Sequence, residues 1–321
     1  MSVTLESAKT GVFAPPPPDR PWAKPLRDHP TQSATAIDGW SSVLFGFPFL
    51  AAGIFITLAL LDTVRSPKQP PGWVIGIAAG MFLGGGVFFL MHGIGGVMRR
   101  NAWRREAAAR PNEPWLYDHP WRREGIAFSS FDDMVKRLLA AIVWTTFLLP
   151  FAWVGWQGAW PFLVAVAIFG LPALIFWYRW AQLLFDFLRD GPSYLAYDEF
   201  PFALGGMLRA RLQVPRHVSV IEAMALTLRC VEEKYVTTGR GESRSTNVVC
   251  YEIYSESITL NRDRLRGPVG GEISFEFRVP SEQPETTLIA TWPTYWEIEA
   301  KGRVRGVNYE AVFLVPVYKT S

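Results

Sequence analysis

Cysteine and histidine are scarce, with two and four in 321 residues. Cys230, Cys250 and the nearest histidine, His217, fall short of the four ligands at regular spacing that a structural zinc site needs, so no metal is expected. A secretory leader is lacking as well. Residues 1–38 are polar and proline-rich, with four consecutive prolines at 15–18 and no apolar core segment. They read as a disordered, partly polyproline arm. A surplus of positive charge is missing from residues 191–321, which hold 15 Lys/Arg against 16 Asp/Glu. That balance argues against a nucleic-acid partner, whose binding domains present a basic face. No Walker-type phosphate loop follows any strand: the glycine-bearing stretch 238–245 has neither the Lys-Ser/Thr nor the helix.

What the chain has is four long apolar runs, at 39–61, 73–98, 138–156 and 161–188. Each approaches or exceeds the ~20 residues needed to cross a ~30 Å hydrocarbon core. They predict an α-helical membrane bundle of four transmembrane helices in two hairpins, 39–98 and 138–190, separated by a basic loop, 99–137. That loop carries nine Lys/Arg, whereas the short connections on the opposite side offer only Arg65 and Lys68. The positive-inside rule therefore puts the loop and both termini in the cytoplasm. Trp153, Trp156 and Trp160 mark one interface, and Trp177, Tyr178 and Trp180 around Arg179 mark the other. Arg179 is read as snorkelling to the headgroups.

No acidic residue lies mid-span, and His92 is the one titratable side chain well inside the second run. Proton relays and ion paths use several such groups facing a cavity, so His92 reads as a packing or interfacial residue. Gly76, Gly80 and Gly84 form a four-residue small stripe that lets a second helix approach closely. The reading adopted is packing within the chain, against the first or third span; the alternative is a homodimer seam. Ser130 followed by Asp133 suits a helix N-cap leading into the third span.

Within the basic loop, Trp115, Tyr117 and Trp121 alternate with Pro111, Pro114 and Pro120. The prolines forbid a helix and the aromatic rings need apolar surface to cover. The segment is expected to dock, extended, against the membrane face or the C-terminal domain. Asp118 and His119 have no second base or nucleophile nearby, so no catalytic residue is assigned, and no cofactor.

From residue 191 onward the pattern changes to β-branched alternation. Strands are expected at 206–214, 218–232, 247–260, 271–278, 295–303 and 307–318. Six such segments predict an all-β antiparallel sandwich, immunoglobulin-like or related, over 191–321. With both cysteines in a cytoplasmic domain, each is expected as a small buried thiol; on the opposite side of the membrane they could pair as a disulfide. Three segments carry a resemblance: Leu204-Gly205-Gly206-Met207-Leu208, then Ile273-Ser274-Phe275-Glu276-Phe277-Arg278-Val279-Pro280 with Pro284-Glu285-Thr286-Thr287, and finally Tyr295-Trp296-Glu297 with Phe313-Leu314-Val315-Pro316. These resemble a single arrestin-like lobe, with threonine where serine is common. The whole layout resembles bacterial polytopic membrane proteins of unknown function. The resemblance implies a plasma-membrane protein whose β lobe binds a partner rather than catalysing a reaction. The expected function is a membrane-anchored scaffold or accessory subunit binding another protein. The alternative is a small transporter or channel with a regulatory cytoplasmic domain.

Overall fold

The computed structural model describes residues 20–27, 39–63, 72–129, 131–214, 223–238, 245–261, 272–290, 292–304 and 307–319. The chain divides into two compact units. One gathers Ala36–Arg105 and Ser129–Gly191; the other gathers Met1–Thr35, Glu106–Phe128 and Pro192–Ser321.

The first unit is helical: α1 (Gly39–Thr63), α2 (Gly72–Ala109), α3 (Phe131–Trp156) and α4 (Trp160–Asp190). All four are long and apolar enough to cross a membrane. Large apolar side chains such as Phe55, Phe88, Ile168 and Leu174 stay exposed along them, as a helix facing lipid rather than water requires. α1 and α2 approach closely at Gly53 and Gly86. A side chain at Gly53 would meet Leu83, and one at Gly86 the backbone of Leu50, both at 2.6 Å, so only hydrogen fits at either place. Rings of Phe45, Phe49, Phe82 and Phe89 fill the same seam. α3 and α4 are stitched by side-chain bonds. The Trp144 indole donates to the Phe169 carbonyl at 2.7 Å, and the Trp177 indole donates to Thr145 Oγ1 at 3.1 Å. Trp73 and Trp153 meet edge to face with centroids 6.0 Å apart.

The second unit is a sandwich of two sheets. The larger has strand order β1 (Lys24–Arg27), β7 (Ser245–Asn261), β6 (Ala223–Thr238), β9 (Thr294–Val304), β10 (Val307–Val315). The smaller has order β2 (Gly125–Phe128), β3 (Ser193–Tyr197), β5 (Met207–Gln213), β8 (Glu272–Arg278). Every pairing within these two sheets is antiparallel. A parallel pair, β4 (Phe202–Ala203) with β11 (Val317–Tyr318), closes one end. Period-two alternation builds the core: Leu208, Ala210, Leu212, Ile273, Phe275 and Phe277 from one sheet face Met224, Leu226, Leu228, Trp296 and Ile298 from the other. The opposite face of the smaller sheet is polar, with Arg211 bridging Asp198 at 2.9 Å and Glu272 at 3.6 Å.

Several sequence expectations are redrawn. The stripe Gly76, Gly80, Gly84 packs against nothing described in the chain: a side chain added at any of the three meets no atom within 4 Å. The close intrachain seam uses Gly53 and Gly86 instead, because helix rotation turns the stripe away from α1. The basic segment 99–137 is not a loop throughout. α2 runs on to Ala109, since 99–109 is rich in Ala and Arg with no Pro or Gly, and it stops before Pro111. Within 1–38, residues Lys24–Arg27 form an edge strand, while 1–19 and 28–38 lie outside the described residues. Ser130 also lies outside them; the α3 start is capped by Ser129, whose hydroxyl accepts from the Phe131 amide at 3.1 Å.

Candidate functional site

Residues 110–124 show how a proline-rich connection becomes part of a folded domain. A single 3-10 turn at Pro114–Leu116 lets the Asp118 amide donate to the Pro114 carbonyl at 2.9 Å. The chain then enters β2 at Gly125. Its φ of +144° and its contact with the Leu195 carbonyl leave no room for a side chain. β2 pairs with β3, from Gly125 opposite Ala196 to Phe128 opposite Ser193.

Three of the side chains in this segment converge on Tyr318. The Trp121 indole donates to the Tyr318 hydroxyl at 3.0 Å, and the Trp115 ring meets the Tyr318 ring at 5.9 Å. The Tyr318 hydroxyl in turn donates to Asp118 Oδ2 at 3.1 Å. Tyr117 is half-buried in the same turn, its phenol raised by burial and then by Asp118. Asp118 itself is buried and accepts from the Leu288 and Ile289 amides, each at 2.9 Å. This carboxylate ties together the 110–124 segment, the 281–293 loop and the C-terminal strand. Burial raises its proton affinity above the usual carboxylate range, and the three donors oppose that shift. His119 meets Trp121 at a tilt, ring centres 4.5 Å apart, and burial lowers it to about 4, so at neutral pH it is an uncharged packing group.

The docked segment covers a second, smaller core on the outer face of the larger sheet. Val231, Cys250, Tyr295 and Leu314 form it, with Leu26, Trp121, Ile126 and Leu288 packed against them. Beside it runs a line of buried charge. Arg27 donates to Glu297 at 2.6 Å and to Tyr295 at 3.2 Å, and Arg229 reaches Glu299 at 2.6 Å and Glu252 at 2.9 Å. Burial alone would lower the proton affinity of Arg27; Glu297 and Tyr295 more than reverse that, holding the guanidinium protonated. Cys250 lies 4.0 Å from Glu233, and burial with that carboxylate pushes the thiol up to about 11. Cys230 is raised well above the ordinary thiol value, again first by burial. Neither cysteine is in a disulfide, and they lie on opposite faces of the sheet: Cys230 in the main core, Cys250 in the outer one. Their side chains therefore cannot form a disulfide, whichever side of a membrane the domain occupies. Neither thiol has the lowered pKa that a nucleophile requires.

The surface holds a different kind of group. Tyr235 and Trp292 meet at a tilt, centroids 5.4 Å apart, while remaining 48% and 44% exposed. The β6–β7 hairpin supplies Tyr235. Trp292 is held beside it by the neighbouring bond from the Glu233 amide to the Pro293 carbonyl, 2.9 Å. In the helical unit, His92 is exposed and stacks on Phe88 of its own helix at 5.9 Å. Thr145 also accepts nothing from a cavity: its hydroxyl donates to the Ala141 carbonyl at 2.7 Å and accepts from Trp177. Sequence reasoning singled out Trp115, Tyr117 and Trp121 but assigned no role to Asp118 beyond a weak acid–base one. An acid set between an aromatic residue and a histidine-proline pair was the available signal.

No protein-family model and no curated protein matches the chain in sequence. In shape it is similar over 39% of its length to Spo0M, a sporulation control protein from Bacillus subtilis, at 10% identity and a TM-score of 0.26. The match spans about half of that structure, 48%.

Proposed function

We infer that this protein is a membrane-anchored scaffold or accessory subunit whose β-sandwich binds another protein from the cytoplasmic side of a bacterial plasma membrane. The observation that carries the reading is the tilted aromatic pair Tyr235–Trp292. Two large aromatic rings kept in contact yet open to solvent are the residue types and the geometry that anchor protein interfaces, where a few Trp and Tyr side chains supply most of the affinity. Supporting it, the buried thiols are protonated and His119 is neutral, so the charge network around them serves to hold the domain together. The orientation follows from the nine basic residues of 99–137 against two on the other side.

The test is affinity purification of the full chain in mild detergent, beside the Tyr235→Ala/Trp292→Ala double variant. A partner recovered with the parent and lost, or weakened at least about 30-fold, with the double variant supports the reading, given about 2 kcal/mol per hot-spot residue. A partner retained by the double variant places the interface elsewhere, and recovery of the parent alone across several detergents counts against the scaffold role.

A further inference from the structure

Among its described residues the helical unit carries a cationic cleft. Arg137 of α3 and Tyr178, Arg179, Ala181, Gln182, Leu183 and Phe185 of α4 line a cavity of about 610 Å3, within the range of small-molecule sites. Arg137 lies 19 residues before Trp156, and Arg179 lies 19 residues after Trp160. At ~1.5 Å per helical residue both arginines therefore stand about 28 Å from the tight turn joining the two helices. That is the thickness of a hydrocarbon core, so both guanidinium groups reach the same level, where phospholipid phosphates lie. Trp177 and Trp180, packed edge to face at 5.5 Å, occupy the same turn of α4 and mark the interface.

The polar groups of the cleft point to an anion. No hydrogen bond or ion pair joins Arg137 or Arg179 to another described residue; Asp133, one helical turn before Arg137, pairs with Lys136 at 3.3 Å. The Gln182 amide donates to the Tyr178 hydroxyl at 2.8 Å, which leaves the phenolic proton free to be donated. Two guanidinium forks and one O–H suit the non-bridging oxygens of a phosphodiester. Leu183 and Phe185 supply apolar surface beside them for acyl chains.

We propose that the α3–α4 cleft is a binding site for the headgroup of an anionic phospholipid, held by Arg137 and Arg179 with Tyr178. The inference rests on the reading of α3 and α4 as membrane spans. A zwitterionic lipid carries the same phosphate but adds a quaternary ammonium that two arginines repel, so the site discriminates by net charge.

The experiment is native mass spectrometry of the full chain in detergent, titrated with phosphatidylglycerol or phosphatidylcholine, for the parent, Arg137→Gln/Arg179→Gln and Arg137→Lys/Arg179→Lys. The expected result is saturable binding of phosphatidylglycerol at least fivefold stronger than phosphatidylcholine, lost in the glutamine pair, largely kept in the lysine pair and unaffected by millimolar inorganic phosphate. Equal binding of the two lipids, or undiminished binding by the glutamine pair, overturns the proposal. Competition by inorganic phosphate at lipid-like affinity also overturns it, since the site would then serve a soluble anion. Carbonate extraction of membranes separates the underlying reading. A parent chain that stays in the bilayer without preferring anionic lipid sinks this site alone, whereas a chain released by carbonate sinks both.

Discussion

The Tyr318 hydroxyl donates to the Asp118 carboxylate at 3.1 Å, across 200 positions of sequence. The same carboxylate receives two backbone amides from the 281–293 loop. One acid thus substitutes for a strand pairing that neither loop can form by itself.

Replacing Asp118 with alanine leaves the Leu288 and Ile289 amides and the Tyr318 hydroxyl without their acceptor. Stability of the β unit falls by about 2–4 kcal/mol, the cost of stranded donors beside a lost charge-assisted bond. Tyr318→Phe leaves Asp118 its two backbone donors but removes the acceptor of the Trp121 indole as well, and costs about 1–3 kcal/mol. Thermal denaturation in detergent gives both values, and faster hydrogen exchange at Leu288 and Ile289 localises the first.

Acidification weakens the same region through His119. Burial lowers its imidazole to about 4 from an ordinary 6.5. Between those values the unfolded chain binds the extra proton and the folded chain does not. The contribution of His119 is therefore complete above pH 6.5 and is lost as pH falls to about 4, on the order of 3 kcal/mol. Asp118 works in the opposite sense, because its raised proton affinity lets the folded state take up a proton first as pH falls. His119→Gln removes only the first effect, so its stability changes less than the parent's between pH 7 and pH 4.5. An unchanged slope refutes the assignment.

Cys230 and Cys250 resist modification in the folded protein. Both are buried, and both thiols are pushed up in pKa. Incubation with a maleimide at pH 7.5 labels neither until denaturant is added, and then labels both, as intact-mass measurement can count. Labelling of the native chain contradicts the packing around Val231 and Tyr295.

The Arg27–Glu297 pair ties the edge strand β1 to β9 within the larger sheet. Glu297 is fully buried and Arg27 largely so. Glu297→Ala leaves a guanidinium without its carboxylate and costs about 3–5 kcal/mol. Protease cleavage between residues 20 and 27 then speeds up relative to the rest of the β unit.

Glycine substitutions separate the two faces of α2. Gly86→Val meets the Leu50 backbone and separates α1 from α2, lowering the melting temperature of the helical unit by several degrees. Gly80→Val meets no atom of the described residues within 4 Å of the added Cβ and leaves that temperature unchanged. Equal destabilisation by the two would show that the Gly76–Gly80–Gly84 face is packed after all.

The sequence by itself determined the four helices and most of the sandwich. Their signals are local: about 20 contiguous apolar residues for a span, and period-two alternation such as Ile273, Phe275, Phe277 for a half-buried strand. That Trp115 and Trp121 need cover was legible too, since exposed rings demand apolar surface, but the stretch turns through a 3-10 helix at Pro114–Leu116 and does not run extended throughout. Only the tertiary structure decided the rest. β1 at Lys24–Arg27 has no apolar alternation of its own and exists because β7 offers an edge and Glu297 a counter-charge. β2 spans four residues and is held by β3. Asp118 is a clamp because the chain path brings residues 288, 289 and 318 to it, and no local pattern encodes that meeting. Which glycines make a helix seam depends on the rotation of α2 about its axis, which composition leaves open and packing against α1 settles at Gly53 and Gly86.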